Sequence, residues 1–341
     1  MAWKMLAETA PLDRVWMAFP LECFSMGDRP EETYAAWTGV AHAASAFVSV
    51  TMVVDPSESA RAERMLGSHI ERVTAPLDDF WMRDMGPTFV VDDERPGVLG
   101  AVDWTYNGWG AQHWARWSND REIGRFVGRQ TDAEIVSSLL VNEGGAIHSD
   151  GEGTLLVTET VQLDPQRNPY ADKESIEAEF ARTLGAEKVI WLPRGLTRDY
   201  EDLGTRGHVD MVAAFPSPGH ILLHDQRNSD HPDHAVTRAL KGFLSEQTDA
   251  RGRTFDIIDL PAPEVQRDDD GYVDFNYVNH LVANDGIIAC GFGEPAADAY
   301  AAGILGEQYG GKTVVTLDAR PIMSRGGGIH CITQQQPTIV A

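Results

Sequence analysis

Asp172-Lys173-Glu174-Ser175-Ile176-Glu177-Ala178-Glu179-Phe180-Ala181-Arg182-Thr183-Leu184-Gly185-Ala186-Glu187-Lys188-Val189-Ile190-Trp191-Leu192 carries the α/β rhythm of the whole chain. Ile176, Phe180 and Leu184 recur at i, i+4 and i+8, so the spacing predicts a helix over 172–184 with one apolar face, stopped by Gly185. The apolar run 188–192 beyond it reads as a strand. Ahead of the helix, 154–161 follows the turn Asp150-Gly151-Glu152-Gly153 and reads as a strand too. Helical patterns recur over 31–46, 58–68, 119–129, 233–246 and 296–308, each followed by a short strand-like run. Strand signals also pair up at 209–215 and 220–224. A module of two strands, a helix and another strand, repeated several times, explains this rhythm. Similarity between the modules is weak, and an ordinary α/β sheet is compatible with the same pattern.

At 341 residues the chain can bury a sizeable core. No linker or low-complexity stretch divides it, and the acidic run Arg267-Asp268-Asp269-Asp270-Gly271 is short enough to be one exposed loop, so 1–341 reads as a single domain. A formal charge of −24 argues against nucleic acid or an anionic membrane as partner, since both need a basic footprint. Such a field gathers small cations, or serves only to solvate the surface. No apolar run is long enough to span a bilayer, and Met1-Ala2-Trp3-Lys4-Met5 lacks the layout of a signal peptide, which leads us to expect a cytoplasmic protein. Cys23, Cys290 and Cys331 form no Cys-x-x-Cys pair and suit a reducing compartment. Core packing is the expected role of the first two.

Cys331 differs from them in its surroundings. In Gly326-Gly327-Gly328-Ile329-His330-Cys331-Ile332-Thr333-Gln334, three glycines let backbone approach a ligand closely, and groups that can hydrogen-bond flank the thiol. It reads as a nucleophile or as a small buried hydrophobe. In Gly207-His208-Val209-Asp210-Met211 a strand would turn His208 and Asp210 to one face, as a working pair or a hydrogen-bonded surface pair. Asp84, in Trp81-Met82-Arg83-Asp84-Met85-Gly86-Pro87, is expected on an exposed loop, either functional, turn-forming or salt-bridged to Arg83. Glu143 ends the apolar run 135–141 and precedes Gly144-Gly145, as a site carboxylate or a strand-ending turn.

In this order, the four segments resemble the signature of the agmatine deiminase family, guanidine-modifying enzymes related to arginine deiminases and a bacterial peptidylarginine deiminase. The resemblance continues through His148-Ser149-Asp150-Gly151-Glu152-Gly153-Thr154, Arg167-Asn168-Pro169, Trp191-Leu192-Pro193-Arg194-Gly195 and Tyr277-Val278-Asn279, and spans 16–337. It implies a pentein fold, a five-bladed α/β propeller of ββαβ-like modules with pseudo-fivefold symmetry and the active site in the central channel. It implies Cys331 as nucleophile on the guanidinium carbon, His208 as general acid and base, Asp84 and Asp210 as the grip on the planar cation, and Glu143 as the residue that orients and charges His208. Asn279 and Gly328, within the matching segments, are expected at the substrate. Trp81 and Trp109 could stack on the guanidinium, line the tail pocket, or be core. No metal or organic cofactor is required, and the expected partner is a small cationic guanidine. A homodimer or higher homo-oligomer is compatible with the sequence.

Two departures bear on the substrate. The family often has an acidic or amide residue where this chain has Arg206, and small or apolar residues where it has Ser324-Arg325. A nearby arginine would repel an ammonium tail by roughly 1 kcal/mol or more. Arg206 and Arg325 are thus expected either to bind a carboxylate tail, as in arginine, a guanidino acid or a peptidylarginine, or to pair with surface acids. Other classes stay open. A metal-dependent ureohydrolase would use His148, Asp150, His208, Asp210, His231 and His234 and release urea, although His231-Pro232-Asp233-His234 looks like a helix start. A non-catalytic guanidine-binding protein or an amidino transferase would fit the same cation grip.

Overall fold

The helix expected from Ile176, Phe180 and Leu184 runs over Lys173–Leu184 in the computed structural model, which describes residues 2–268 and 271–339. Asp172 caps it: its carboxylate accepts the Ser175 N–H at 2.9 Å, and Ser175 Oγ accepts the Asp172 N–H at 2.9 Å. That reciprocal pair satisfies two donors that a helix start leaves open. Gly185 ends the helix at φ 70°, a left-handed conformation that glycine adopts without strain. Ile176, Phe180 and Leu184 are buried in one cluster with Leu155, Val157 and Trp191. These come from Thr154–Thr158 and Lys188–Leu192, which pair in parallel across the helix.

This unit recurs five times among the described residues. In each, a first strand is antiparallel to a second, which continues through a helix to a third strand parallel to it, as a crossover connection requires. One set is His148–Ser149, Thr154–Thr158 and Lys188–Leu192. Another is Thr88–Asp92, Leu99–Thr105 and Glu134–Val141, with helix Ile123–Gln130. A third is Ala213–Ser217, His220–Asp225 and Asp256–Pro261, with helix Asp233–Ser245. A fourth is Leu281–Ala283, Gly286–Gly291 and Thr313–Asp318, with helix Pro295–Gln308. The fifth joins distant parts of the chain: Gln334–Pro337 lies antiparallel to Leu12–Ala18, itself parallel to Ser49–Val54 across helix Pro30–Ala44. This is the five-bladed ββαβ arrangement that the resemblance implies.

Two strand boundaries differ from expectation. The strand expected over 154–161 stops at Thr158, and Glu159–Gln162 turns into a short helix. Its partner strand ends at Leu192, where Pro193 has no N–H to extend the ladder. The strand expected over 209–215 begins only at Ala213, because Val209–Met211 forms a single 3₁₀ turn. The carboxylate of Asp199 accepts the N–H groups of Thr205, Gly207 and His208 at 2.6, 2.6 and 3.0 Å, which removes them from any sheet. In place of a plain acidic loop, Arg267–Asp268 pairs with Gly271–Tyr272; Asp269 and Asp270 lie outside the described residues. No helix among the described residues is long and apolar enough to cross a membrane.

The ring closes through side chains as well as strands. Asn284, in the turn between Leu281–Ala283 and Gly286–Gly291, accepts the Leu12 N–H at 2.8 Å and donates to the carbonyls of Leu12 and Phe47 at 3.2 and 3.1 Å. Its φ of 49° is one that asparagine tolerates better than most residues. Asn284→Ala should therefore lower stability by about 1–3 kcal/mol in denaturant unfolding. Asn284→Gly, which relieves the φ but lacks the three bonds, should recover only part of the loss.

Candidate active site

Each first strand is preceded by a segment that reaches the same buried region. Trp81–Met85 leads to Thr88–Asp92, Glu143–Ala146 to His148–Ser149, His208–Met211 to Ala213–Ser217, Asn276–Asn279 to Leu281–Ala283, and His330–Cys331 to Gln334–Pro337. Cys331 is buried, and its loop is fastened on two sides. Asn279 Oδ1 accepts the N–H groups of His330 and Cys331 at 2.9 and 3.3 Å, while its Nδ2 donates to Cys331 Sγ at 3.2 Å. Arg83 donates its backbone N–H to the Cys331 carbonyl at 3.1 Å and its Nε to the His330 carbonyl at 3.3 Å. The three glycines make room for protein groups. A side chain on Gly326 would strike the Leu203 carbonyl, on Gly327 the Trp81 ring and the thiol, and on Gly328 the Asn279 amide.

Asp84 is not on an exposed loop. The segment winds into a short helix, Met82–Met85, whose N–H groups return to Trp81 and Met82, and this carries Asp84 into the interior. Its Oδ2 accepts Trp109 Nε1–H at 2.8 Å and its Oδ1 the Gly145 N–H at 3.1 Å. Arg83, the salt-bridge partner offered by the sequence, turns instead to Glu8 at 3.4 Å and to Gln335. Asp210 places Oδ2 2.8 Å from His330 Nδ1 and accepts the Cys331 S–H there at 3.5 Å, while its Oδ1 is buried without a partner among the described residues. Glu143 takes both oxygens to Arg167 Nε, at 3.0 and 3.1 Å, and accepts from His208 Nε2 at 3.3 Å. His208 Nδ1 has no hydrogen-bond partner among the described residues and lies 3.8 Å from Asp84 Oδ1. These groups converge tightly: a carbon added to Gly145 would sit 2.6 Å from His208 Nδ1 and 2.9 Å from both Asp210 Oδ2 and Asp84 Oδ1.

Burial and charge set the protonation states. Burial, with help from Asp210 and Glu143, raises Asp84 to about 6 against the pull of His208. Burial also pushes Asp210 and Glu143 upward, but His330 for the first and Arg167 for the second more than offset it, and both lie below the ordinary carboxylate range. His208 is favoured neutral by burial, yet Asp84, Glu143 and Asp210 prevail and raise it to about 9. Burial and then the charges of Asp210 and Asp84 push the Cys331 thiol well above its usual value, with only partial relief from Gly328 and Asn279. The unliganded site therefore holds a neutral thiol, an imidazolium and carboxylates ready for a cation.

Trp81 packs against the space beside the thiol and lies edge-on to Trp37. Trp109 has a φ of 56°, an outlier for a bulky residue, and the same ring that bonds Asp84 stacks on Trp114, which stacks on half-exposed Phe24. Arg206 is paired with Asp164 at 3.3 Å, an acid it shares with Arg167. Arg325 is buried, and its guanidinium donates to the carbonyls of Met26, Arg29 and Pro321 and to Ser324 Oγ at 2.5–3.3 Å. In place of the expected pairing with surface acids, Arg206 pairs with a buried one, Asp164, and Arg325 with backbone carbonyls.

Of the residues a metal reading requires, His231 bonds the Val273 carbonyl and His234 the Gln226 carbonyl, at 2.9 and 2.8 Å. Among the described residues the ligand atoms that gather within 4.8 Å are those of Glu8, His148 and His330. Both ring nitrogens of His330 face carboxylates there and Arg83 adds a positive charge, so proton sharing explains the trio. Glu8, Arg167 and Asp199 are site residues to which the sequence reading assigned no role, and Arg83 was read only as a partner for Asp84. His330 carried a signal, since it stands beside Cys331, whereas nothing in the residues around Glu8 marks it.

A buried thiol, imidazole and carboxylates at the hub of five ββαβ modules define a pentein hydrolase of carbon–nitrogen bonds. The chain belongs to the Porphyromonas-type peptidyl-arginine deiminase family, whose model matches residues 4–337. It is 50% identical to a Streptomyces coelicolor relative provisionally named agmatine deiminase, over 99% of both chains. It is 37% identical to the agmatine deiminase of Stutzerimonas stutzeri, covering 98% of this chain and 95% of that one. The solved structure of the Enterococcus faecalis agmatine deiminase superposes with a TM-score of 0.93 at 30% identity, covering 99% and 96% of the two chains.

The convergence on Gly145 yields a test. Gly145→Ala should fold with a loss of about 1–3 kcal/mol and lose nearly all turnover, because the added carbon occupies the space among three polar groups. Circular dichroism and ammonia release measured together distinguish a blocked site from an unfolded chain.

Proposed function

We propose that this protein hydrolyses the guanidinium of agmatine or a close relative to a ureido product and ammonia through a covalent adduct on Cys331. The observation that carries the reading is the buried Cys331 thiol bonded to Asp210 Oδ2, in the same buried region where Asp210 Oδ1 and His208 Nδ1 have no protein partner among the described residues. The names of the relatives support agmatine as substrate.

A guanidinium is a flat, delocalised cation whose donors match carboxylates in pairs. Asp210 Oδ1 and the oxygens of Asp84 are placed to accept them. As the cation arrives the thiol loses its proton to solvent, which leaves the net charge of the site unchanged. The thiolate sulfur attacks the guanidinium carbon to form a tetrahedral adduct. His208 then protonates the departing nitrogen from Nδ1, the carbon–nitrogen bond breaks, and ammonia leaves an amidino-thioether on Cys331. Neutral His208 takes a proton from water, the hydroxide adds to the same carbon, and the second adduct collapses with loss of its hydroxyl proton to solvent, which releases the ureido product and the thiolate. Glu143 holds Nε2 throughout, so that Nδ1 is the nitrogen that gains and loses the proton.

The tail of the substrate follows from the arginines. A carboxylate tail would need a cation to meet it, and Arg325 already has its donors taken up by backbone carbonyls and Ser324, while Arg206 is paired with Asp164. That favours the amine tail of agmatine. Ammonia release from agmatine, arginine and 4-guanidinobutyrate should rank agmatine first, with a ureido co-product. Urea in its place, or a preference for the guanidino acid, would overturn the reading. Cys331→Ala should be inactive, and His208→Ala should lose about 10²–10⁴-fold in kcat.

The pH dependence follows from the free-state protonation. Since the reaction needs His208 protonated at about 9 and a thiol that ionises still higher, kcat/KM should climb in proportion to hydroxide through neutrality and level off near about 9. Below about 6 the climb should be steeper, because Asp84 takes up a proton there and loosens its grip on the cation. A flat kcat/KM from weakly acid to neutral pH would mean that the thiol is already ionised in the free protein.

A further inference from the structure

Glu8 and His330 take no part in the steps above, yet they end a continuous line of hydrogen bonds that starts on Asp210. His330 Nδ1 lies 2.8 Å from Asp210 Oδ2 and His330 Nε2 lies 2.7 Å from Glu8 Oε1. An ionised carboxylate only accepts, so both ring nitrogens must donate, and the ring is an imidazolium held between two carboxylates. Glu8 is itself fixed: Gln335 Nε2 donates to Oε2 at 3.2 Å and Arg83 Nη1 to Oε1 at 3.4 Å. Glu8, Arg83, Gly144 and Gln335 line a cavity of about 40 Å³.

We propose that Glu8 and His330 are positioning residues, a carboxylate–imidazolium chain that keeps Asp210 ionised and turned so that its Oδ1 stays free for the guanidinium. The inference rests on the function proposed above and adds residues that never touch the substrate.

Asp210 shares its buried region with Asp84 and Glu143, and like charges so close tend to retain a proton among them. Glu143 is balanced by Arg167, and His330 does the same for Asp210 while engaging only Oδ2. The other groups around the chain do not supply that charge. His148 accepts the Phe215 N–H at Nδ1 and is pushed down to about 4 by burial, so it is neutral. His280, bonded to Tyr309, is likewise lowered to about 4 by burial. Arg83 opposes a proton on His330, but Glu8 and Asp210 outweigh both it and burial and raise the ring above its ordinary value.

Glu8→Gln keeps the shape and removes the charge that holds the imidazolium. KM for agmatine should change little at neutral pH and rise by up to about tenfold, the equivalent of one pKa unit at Asp210, as pH falls into the range where Asp210 takes up a proton, while kcat stays within about threefold. His330→Gln should act in the same direction. A KM equal to wild type at every pH, or a pH-independent fall in both constants that tracks a lower melting temperature, would overturn the proposal. Imidazole NMR gives an answer that does not depend on turnover: His330 should remain an imidazolium at neutral pH in wild type and lose its proton at lower pH in Glu8→Gln. A neutral His330 in wild type rejects the chain. An imidazolium in a protein that releases ammonia from no guanidine rejects the proposed function and leaves the electrostatic chain standing.

Discussion

Carboxylates crowded into a buried space that one carbon atom would fill are the constraint around which this molecule is built. Buried negative charge is costly unless paired, and a site meant for a cation cannot pair all of it in advance. The fold meets both demands by placing cations on the far side of two acids. Arg167 stands behind Glu143 and His330 behind Asp210, each engaging oxygens other than Asp210 Oδ1. Asp84 has no arginine or lysine of its own and depends on the Trp109 indole and the Gly145 amide, which is why burial lifts it to about 6 while the other two stay low. The thiol rises for the same reason. Unpaired negative charge remains at Asp210 Oδ1, the oxygen proposed to meet the guanidinium.

Pseudo-fivefold architecture makes such crowding geometrically simple. Five equivalent segments run toward one axis ahead of five equivalent strands, and each brings a different side chain: Asp84, Glu143, His208 with Asp210, Asn279 and Cys331. Adjacent first strands touch, as Gln334–Pro337 does Thr88–Asp92 and Ala213–Ser217 does His148–Ser149, so small displacements in one module are felt by the next. The site is held by backbone on every side, and Asn279 and Arg83 tie the Cys331 loop to two neighbouring modules.

Much of this was legible in the sequence because it rests on local patterns. The apolar spacing and the stop at Gly185 placed the clearest helix to within a residue, and the other helical patterns were found in place. Side chains that converge from remote segments were found by resemblance, since no local period announces that Asp84 will meet His208. The misreadings share one cause. Asp84 looked exposed because Gly-Pro often marks a surface turn, and 209–215 looked like a strand because its residues are apolar; tertiary bonds to Trp109, Gly145 and Asp199 decided otherwise. Glu8 was silent because its meaning lies wholly in partners more than seventy residues away, Arg83 and His330. Arg206 and Arg325 drew attention as charges, and only the structure could show which oxygens had claimed them.

The pairing of Gln334–Pro337 with Leu12–Ala18 ties the birth of the site to the meeting of two remote parts of the chain. A ribosome delivers the thiol and its neighbours after four modules have been made, and the first module lacks its first strand until then. The pairing joins residues more than three hundred positions apart, so it closes late in folding, when most of the entropy cost of the loop between them has been offset by other contacts. A partly synthesised or partly folded chain thus has the carboxylates without the sulfur, and the whole cluster exists only in molecules that have closed their ring.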